Sequence, residues 1–250
     1  MDIVEIEARA ALVRSKITGV SYVINPYLGC SHGCRYCYAA FMRKYSHHHQ
    51  QTRWGNFVEC KANIVELLRK ELSRKRSRGT VMLSSVCDPY QPIERQWQLT
   101  RGCLEALGEF GWEVEVLTRS LLVVRDLDIL TTMAQVSVGF SIGTENDQVR
   151  SILEPGAPPI QSRVEALKAL HVAGITTWVF IAPMLPMDTG RLYEMVSPYV
   201  DYVLVDALNY RGQVRELFIR NRWDFALTHE YAMKTGAILM ELFGDRARQI

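Results

Sequence analysis

NPYLGCSHGCRYCYAA, residues Asn25 to Ala40, sets Cys30, Cys34 and Cys37 in a CxxxCxxC spacing. An extended chain covers about 3.3–3.6 Å per residue, so a loop of this length can wrap one small object such as a metal cluster. Three thiolates are one fewer than the four that usually hold a [4Fe–4S] cluster, which would leave one iron open to another ligand. A structural zinc site is the competing reading. It wants four ligands, commonly from two separated pairs. His32 could be the fourth, but Cys-x-His-x-Cys-x-x-Cys is an odd zinc order, and Cys60, Cys87 and Cys103 stand singly and offer no second pair. A non-catalytic zinc or electron-transfer protein is therefore the alternative to an enzyme. Disulfides do not suit a chain without secretory context.

The 250 residues suit one α/β barrel-sized domain, and 48% of them are hydrophobic, enough for a large core. A net charge of +2 does not by itself mark a nucleic-acid binder. MDIVEIEARAALVRSK has early acidic residues and no apolar core of a signal peptide. No run of about 18 apolar residues calls for a membrane span. The expected setting is cytoplasmic, where thiols stay reduced.

Along the chain, residues 1–19 read as a leader, a short helix or an arm, and Ser21–Leu28 as a first strand that opens into the cysteine loop. A short helix follows from Tyr38. Tyr45–Asn56, with His47, His48 and His49, reads as a solvated polar loop. Ala62–Ser77 has Ile64, Val65, Leu67, Leu68 and Leu72 at helical spacing, with a basic end and Gly79 as its cap. Strands are expected at Thr80–Val86, Glu113–Thr118, Gln135–Ile142, Thr176–Met184 and Tyr199–Ala207. Helices are expected between them at Gln96–Glu109, Leu121–Met133, Gln161–Ala173 and Gly190–Ser197.

Six strands alternating with helices predict a parallel sheet with right-handed crossovers. Six is short of eight, so the expected fold is a partial (β/α)6 TIM-type barrel, with the cluster loop after the first strand. Residues 1–250 form one domain in this reading: 20–209 the barrel core, 210–250 a helical closing segment. Arginines and aromatics interleave in RELFIRNRWDFALTHEYAMKTG, as single-stranded nucleic acid favours, but an amphipathic closing helix has the same composition. In such barrels chemistry gathers at the carboxyl ends of strands. Polar groups stand there at SSVCDPYQPIE, Thr118-Arg119-Ser120, Ser141 with GTENDQ, Ala182-Pro183, and Asp206 with Asn209.

The chain resembles the radical S-adenosylmethionine (SAM) superfamily, in its spore photoproduct lyase-like (DNA repair photolyase-like) branch. The resemblance runs from about Ile24 to Asn209. It rests on NPYLGCSHGCRYCYA, DPYQPIE, TRSLLVVRDLDIL, FSIGT, LEPGAP, and SRVEALKALHVAGI followed by VFIAPMLP. It implies a [4Fe–4S] cluster on Cys30, Cys34 and Cys37, with SAM on the open iron. Reductive cleavage of SAM would give a 5′-deoxyadenosyl radical that abstracts a substrate hydrogen.

Carried over residue by residue, Tyr38 matches the aromatic position near the adenine of SAM. Ser84 and Ser141 match strand-end positions that contact SAM. Arg119 stands where the lyase pattern has a lysine that holds the SAM carboxylate; a guanidinium can do so with two hydrogen bonds, but the exchange is not neutral. Glu154 and Arg163 match a buttressing ion pair, for which a helix-capping pair is the ordinary reading. Tyr36 and Tyr38 match two tyrosines of a hydrogen-atom relay that also needs a cysteine. That cysteine's position holds Ser85 here, and Cys87, beside Asp88, is the displaced candidate. Its side chain points away if the strand stays regular and inward if the strand end bulges. The resemblance leaves the substrate open among a DNA pyrimidine lesion, a nucleoside or small metabolite, and a peptide. It implies an electron donor such as flavodoxin or ferredoxin.

Overall fold

The β-rich runs of the sequence become one parallel sheet. A computed structural model describes residues 1–250. The leader forms β1 (Asp2–Ile6) and β2 (Val13–Arg14), and β3 (Tyr22–Ile24) and β4 (Tyr27–Leu28) lead into the cysteine loop. Pro26 separates β3 from β4, since proline cannot donate to a ladder. After the loop come β5 (Phe57–Lys61), α1 (Ile64–Leu72) and β6 (Thr80–Leu83). Short α2 (Glu94–Trp97) and α3 (Leu99–Glu109) lead to β7 (Glu113–Thr118), and α4 (Leu127–Leu130) to β8 (Val136–Ser141). Next stand α5 (Asp147–Leu153), α6 (Ile160–Val172), β9 (Thr176–Ile181), α7 (Thr189–Val196) and β10 (Tyr202–Val205). The chain ends in α8 (Arg215–Arg220), α9 (His229–Phe243) and β11 (Ala247–Gln249).

The main sheet has the order β11-β10-β9-β8-β7-β6-β3-β2. All its neighbours are parallel except β2, which runs antiparallel to β3. The expected strands of the (β/α)6 core are β3, β6, β7, β8, β9 and β10. The ends β2 and β11 are not paired with each other, so the sheet is an open, partial barrel.

Period-two burial sets the core. Val81 and Leu83, Val114 and Val116, Val138 and Phe140, Val179 and Ile181, and Val203 and Val205 are all fully buried. On the other face, Gly139 of β8 pairs with Trp178 of β9, and a Cβ at Gly139 would lie 2.3 Å from the indole. The missing side chain is the space the tryptophan fills. Helix α1 buries Ile64, Leu68 and Leu72, one stripe at i, i+4, i+8. It lies close on α3 because Gly102 has no Cβ to meet Val65.

Several local expectations change. The leader is an arm of strands, not a helix: β1 pairs in parallel with β5, and β4 runs antiparallel to β5, making a second small sheet. Helix α1 stops at Leu72, and Gly79 packs against Ser21 rather than capping it. The segment expected as a helix from Leu121 starts as a 3-10 turn, Leu121–Asp126, capped by the Ser120 hydroxyl. The closing segment is mainly helical but ends in β11, parallel to β10. His49 is not solvated. Its ring is 2% exposed and stands 2.9 Å from both Glu59 and Asp2, fastening the polar loop to β5 and β1.

Candidate active site

The cysteine loop is held from three sides. Gln91, from the DPYQPIE stretch after β6, accepts from the Ser31 N–H at 2.9 Å and donates to the Gly29 carbonyl at 3.2 Å. Gly33 and Gly55, both at positive φ, meet backbone to backbone; a Cβ on Gly55 would be 2.8 Å from the Gly33 Cα. Gly156 of LEPGAP donates its N–H to the His32 carbonyl at 2.9 Å, and a Cβ there would lie 2.2 Å from the Ser31 carbonyl oxygen. Only glycine permits these approaches. Cys30 and Cys34 are buried and Cys37 is half-buried.

Asp88 is a hub beneath this loop, and the sequence reading had no role for it. It is buried, accepts from the Thr118 hydroxyl at 2.7 Å, the Arg119 N–H at 2.7 Å and the Tyr90 N–H at 2.9 Å, and stands 3.4 Å from the His32 Nδ1. It thereby ties the end of β7 to the turn after β6. Burial lowers the pKa of His32, against the pull of Asp88.

Glu154 is the second hub. Its Oε1 accepts from the Tyr36 hydroxyl and, at 3.4 Å, from Arg119 Nε; its Oε2 accepts from Arg163. Arg119 also donates to the Tyr36 oxygen at 3.3 Å. Arg163 is fully buried and spends its other donors on the carbonyls of Ser141 (2.9 Å) and Pro158 (3.0 Å). Burial would raise the Glu154 carboxyl, but Arg163, Arg119 and the Tyr36 hydroxyl hold its pKa down at about 2. The result is a charged web that positions the loop, β7 and β8 relative to one another.

The expected site residues thus divide. Arg119, Glu154, Arg163 and Tyr36 form one web. The Tyr36 hydroxyl donates to Glu154, which gives the buried phenol its partner. Tyr38 is part-exposed, donates to the Ser85 carbonyl and stacks on Tyr210 with ring centres 6.4 Å apart. Ser84, at positive φ, turns the end of β6, so the strand does not stay regular there. Cys87 Sγ lies 3.0 Å from the Ser84 hydroxyl and 3.4 Å from the Tyr27 carbonyl. Ser141 is buried and donates to the Ala182 carbonyl at 3.3 Å.

No three His, Cys, Asp or Glu side chains converge at the spacing of one metal ion's ligands. Burial drives the Cys30 thiol well up and Cys34 to about 12, while the Arg119 guanidinium favours the thiolate at Cys34 and Cys37. Four buried side-chain polar atoms lack a hydrogen-bond partner, and three of them, Ser31 Oγ, Trp54 Nε1 and His32 Nδ1 (within ion-pair range of Asp88 but not hydrogen-bonded to it), lie on or against the cysteine loop. Orphaned donors and acceptors gathered at one place mark where a further group belongs.

Comparisons with known proteins agree with this class of site. The family model of the Radical SAM superfamily matches residues 24–196. The chain belongs to the Radical SAM superfamily, a family whose members use an iron–sulfur cluster and SAM. An uncharacterized protein of Methanocaldococcus jannaschii is 33% identical over 214 residues, covering 85% of this chain and 80% of that protein. The radical SAM Nalpha-GlyT isomerase of Pseudomonas phage M6 is 29% identical over 179 residues, covering 69% of this chain and 36% of the isomerase. Among solved structures, spore photoproduct lyase complexed with dinucleoside spore photoproduct superposes with a TM-score of 0.67 at 15% identity, over 99% of this chain and 81% of the lyase; the two share a fold. No helix is long and apolar enough to cross a membrane.

Proposed function

We propose that this chain binds a [4Fe–4S] cluster through Cys30, Cys34 and Cys37 and uses it to cleave SAM. When bound, the cluster and SAM supply one-electron cleavage of a carbon–sulfur bond and a 5′-deoxyadenosyl radical that takes a hydrogen atom from substrate. The observation that carries this reading is the cysteine loop locked by Gln91, Gly55 and Gly156 above two carboxylate hubs.

In this reading Arg119 has guanidinium N–H groups left over from Glu154 and Tyr36 for the carboxylate of SAM. The Glu154–Arg163 pair fixes its angle and keeps its charge in place. Tyr38, with Tyr210 on it, offers an aromatic surface to the adenine. Ser84 and Ser141 stand at the ends of β6 and β8, where a bound nucleoside would reach them. Cys87, hydrogen-bonded to Ser84, and Tyr38, hydrogen-bonded to the Ser85 carbonyl, both stand at the end of β6 and are the pair suited to returning a hydrogen atom to a product radical. Tyr36 acts by positioning, through Glu154.

The proposed substrate is a pyrimidine-bearing nucleic acid, by analogy with the dinucleoside held by the lyase; a nucleoside, small metabolite or peptide is the competing substrate. The proposed reductant is a small acidic carrier of the flavodoxin or ferredoxin type. A cavity of about 690 Å³ beside Cys34 and Cys37 is lined by Arg35, Arg43 and Arg53 and by no acidic residue.

The test is anaerobic reconstitution, iron and sulfide analysis, and mass spectrometry for 5′-deoxyadenosine after adding SAM and dithionite. About four irons per chain and 5′-deoxyadenosine that disappears in Cys34→Ala are expected. One zinc per chain, or 5′-deoxyadenosine still formed by Cys34→Ala, would overturn the proposal.

A further inference from the structure

We propose that the basic loop between α1 and β6 grips the phosphate backbone of a single-stranded nucleic acid. The surface stands at the other end of the barrel from the cysteines, and its role is separate from the radical chemistry proposed above.

Helix α1 ends at Leu72 with Arg69 and Lys70 in its last turn, and these two complement its dipole. Arg74, Lys75, Arg76 and Arg78 lie beyond the helix in an exposed loop, so the helix end does not account for them. Among the basic side chains of residues 69–78 only Arg69 forms an ion pair, with Glu109. The carboxylates nearby are occupied: Glu71 accepts from the Ala11 and Leu12 N–H groups, and Glu113 from the Thr80 hydroxyl. Lys75, Arg76 and Arg78 line a cavity of about 490 Å³ with Phe110 and Trp112 and with no acidic residue. Lys75 Nζ donates to the Tyr22 hydroxyl at 3.2 Å and stands 4.6 Å from the centre of that ring; Arg14 of β2 stands 5.6 Å from the same centre. Tyr22 in turn meets Trp112 edge-on, with centres 5.8 Å apart.

Unneutralised cations from two segments make a field that attracts an anion. Arg14 and Arg74 are not in the cavity wall, so the positive surface extends past it. One phosphate would leave most of that surface unused, whereas a chain with a charge on every unit engages all of it. Phe110, half-buried among the cations, offers an unpaired base a face to stack on. A lipid surface fits less well, because residues 73–78 carry no apolar side chain to insert. An acidic electron carrier fits less well too. The loop precedes β6, and Phe110 and Trp112 precede β7, so this surface lies at the amino ends of strands whose carboxyl ends face the cysteine loop.

The test is fluorescence anisotropy of the cluster-loaded protein, without SAM, on a labelled oligothymidylate over a series of salt concentrations. Wild type is compared with a variant combining Arg74→Gln, Lys75→Gln, Arg76→Gln and Arg78→Gln. Each phosphate contact on a single strand contributes about 0.7 to the slope of log affinity against log salt, so losing four should lower it by about 3. Between about 50 and 200 mM salt the wild type should then lose roughly fiftyfold more affinity than the variant. Equal slopes, or a wild type that does not bind the strand, refute the proposal. A second measurement needs no variant to fold: acetylation of Lys75 in the wild type, read by mass spectrometry with and without the oligonucleotide. Protection of Lys75 is expected, and unchanged labelling refutes the proposal. Protection by phosphatidylserine vesicles but not by the oligonucleotide would assign the loop to a membrane surface and overturn it. Formation of 5′-deoxyadenosine with SAM and dithionite should be the same in wild type and variant; a variant that loses it would place the effect of the loop at the active site and also refute the proposal.

Discussion

Glu154→Gln keeps the shape of the side chain and removes one negative charge from the point where Arg119, Arg163 and the Tyr36 hydroxyl converge. Glu154 is 1% exposed and Arg163 is fully buried, so solvent cannot replace the lost charge. The carboxyl falls from an ordinary 4.5 to about 2 on folding. At 1.36 kcal/mol per pKa unit this is roughly 3 kcal/mol of stability. Removing one partner of a buried ion pair costs about 3–5 kcal/mol in other proteins, a consistent figure. Domains are stable by only about 5–15 kcal/mol, so the loss is a large share of the total. The assay is urea unfolding of the reduced, cluster-free chain at neutral pH. With a slope near 3 kcal/mol per molar, the midpoint should drop by roughly 1 M. Because the folded pKa is depressed, the contribution is complete above about 4.5 and drains away as the pH falls toward 2. Wild type and variant should therefore converge in acid. Arg163→Met added to Glu154→Gln should cost less than the two single losses combined, since no unpaired buried charge remains on that side. A variant midpoint within about 0.2 M of wild type at neutral pH would refute the reasoning.

Gly156→Ala should displace the cysteine loop, because its Cβ would stand 2.2 Å from the Ser31 carbonyl oxygen; iron bound after reconstitution should fall severalfold with all thiols still countable. Asp88→Asn puts an amide donor among three donors, and leaving them poorly matched should cost about 1–3 kcal/mol in unfolding assays. His49 is raised above 6.5 because its hydrogen bonds to Glu59 and Asp2 outweigh the burial that would lower it. That stability is complete below 6.5 and fades as the pH rises through the folded value, so amide exchange in β1, corrected for intrinsic rate, should quicken on the alkaline side and lose this dependence in His49→Gln. Cys87→Ala should still form 5′-deoxyadenosine but change the product distribution, read by deuterium retention in product and SAM.

The six core strands were legible because runs such as TVML and TTWVFI are mostly apolar and EVEVLT alternates with period two, burying Val114 and Val116. FVECK was not, because Glu59 and Lys61 look like loop residues. The burial of Glu59 is made possible by Ser46 and His49, and that contact is invisible until the fold exists. At the ends of the chain the arm and the helical closing segment were legible but their strands were not: β1 and β11 are short, and each exists through a ladder to a distant strand. At the site, the cysteines announce themselves by spacing. Asp88 and Gln91 do not, since each works through contacts across the loop. Tyr36 illustrates the limit of motif reading: its neighbour in sequence is Cys37, but its hydroxyl belongs to Glu154.

The clasp formed by Gly55 and Gly156 has a consequence for biosynthesis. Cys30, Cys34 and Cys37 leave the ribosome well before Gly156 has been made, and a ribosome adds only about 5–20 residues per second. During that interval the thiols sit on an unclosed stretch of nascent chain, open to iron-delivering machinery and to oxidants alike. Once residue 156 has emerged and folded back on Ser31 and His32, the wall behind the cysteines is complete. Loading before and after that moment are therefore different reactions, one onto a flexible peptide and one into a preformed socket. Slowing translation between codons 56 and 156 should lengthen the first and leave the second untouched.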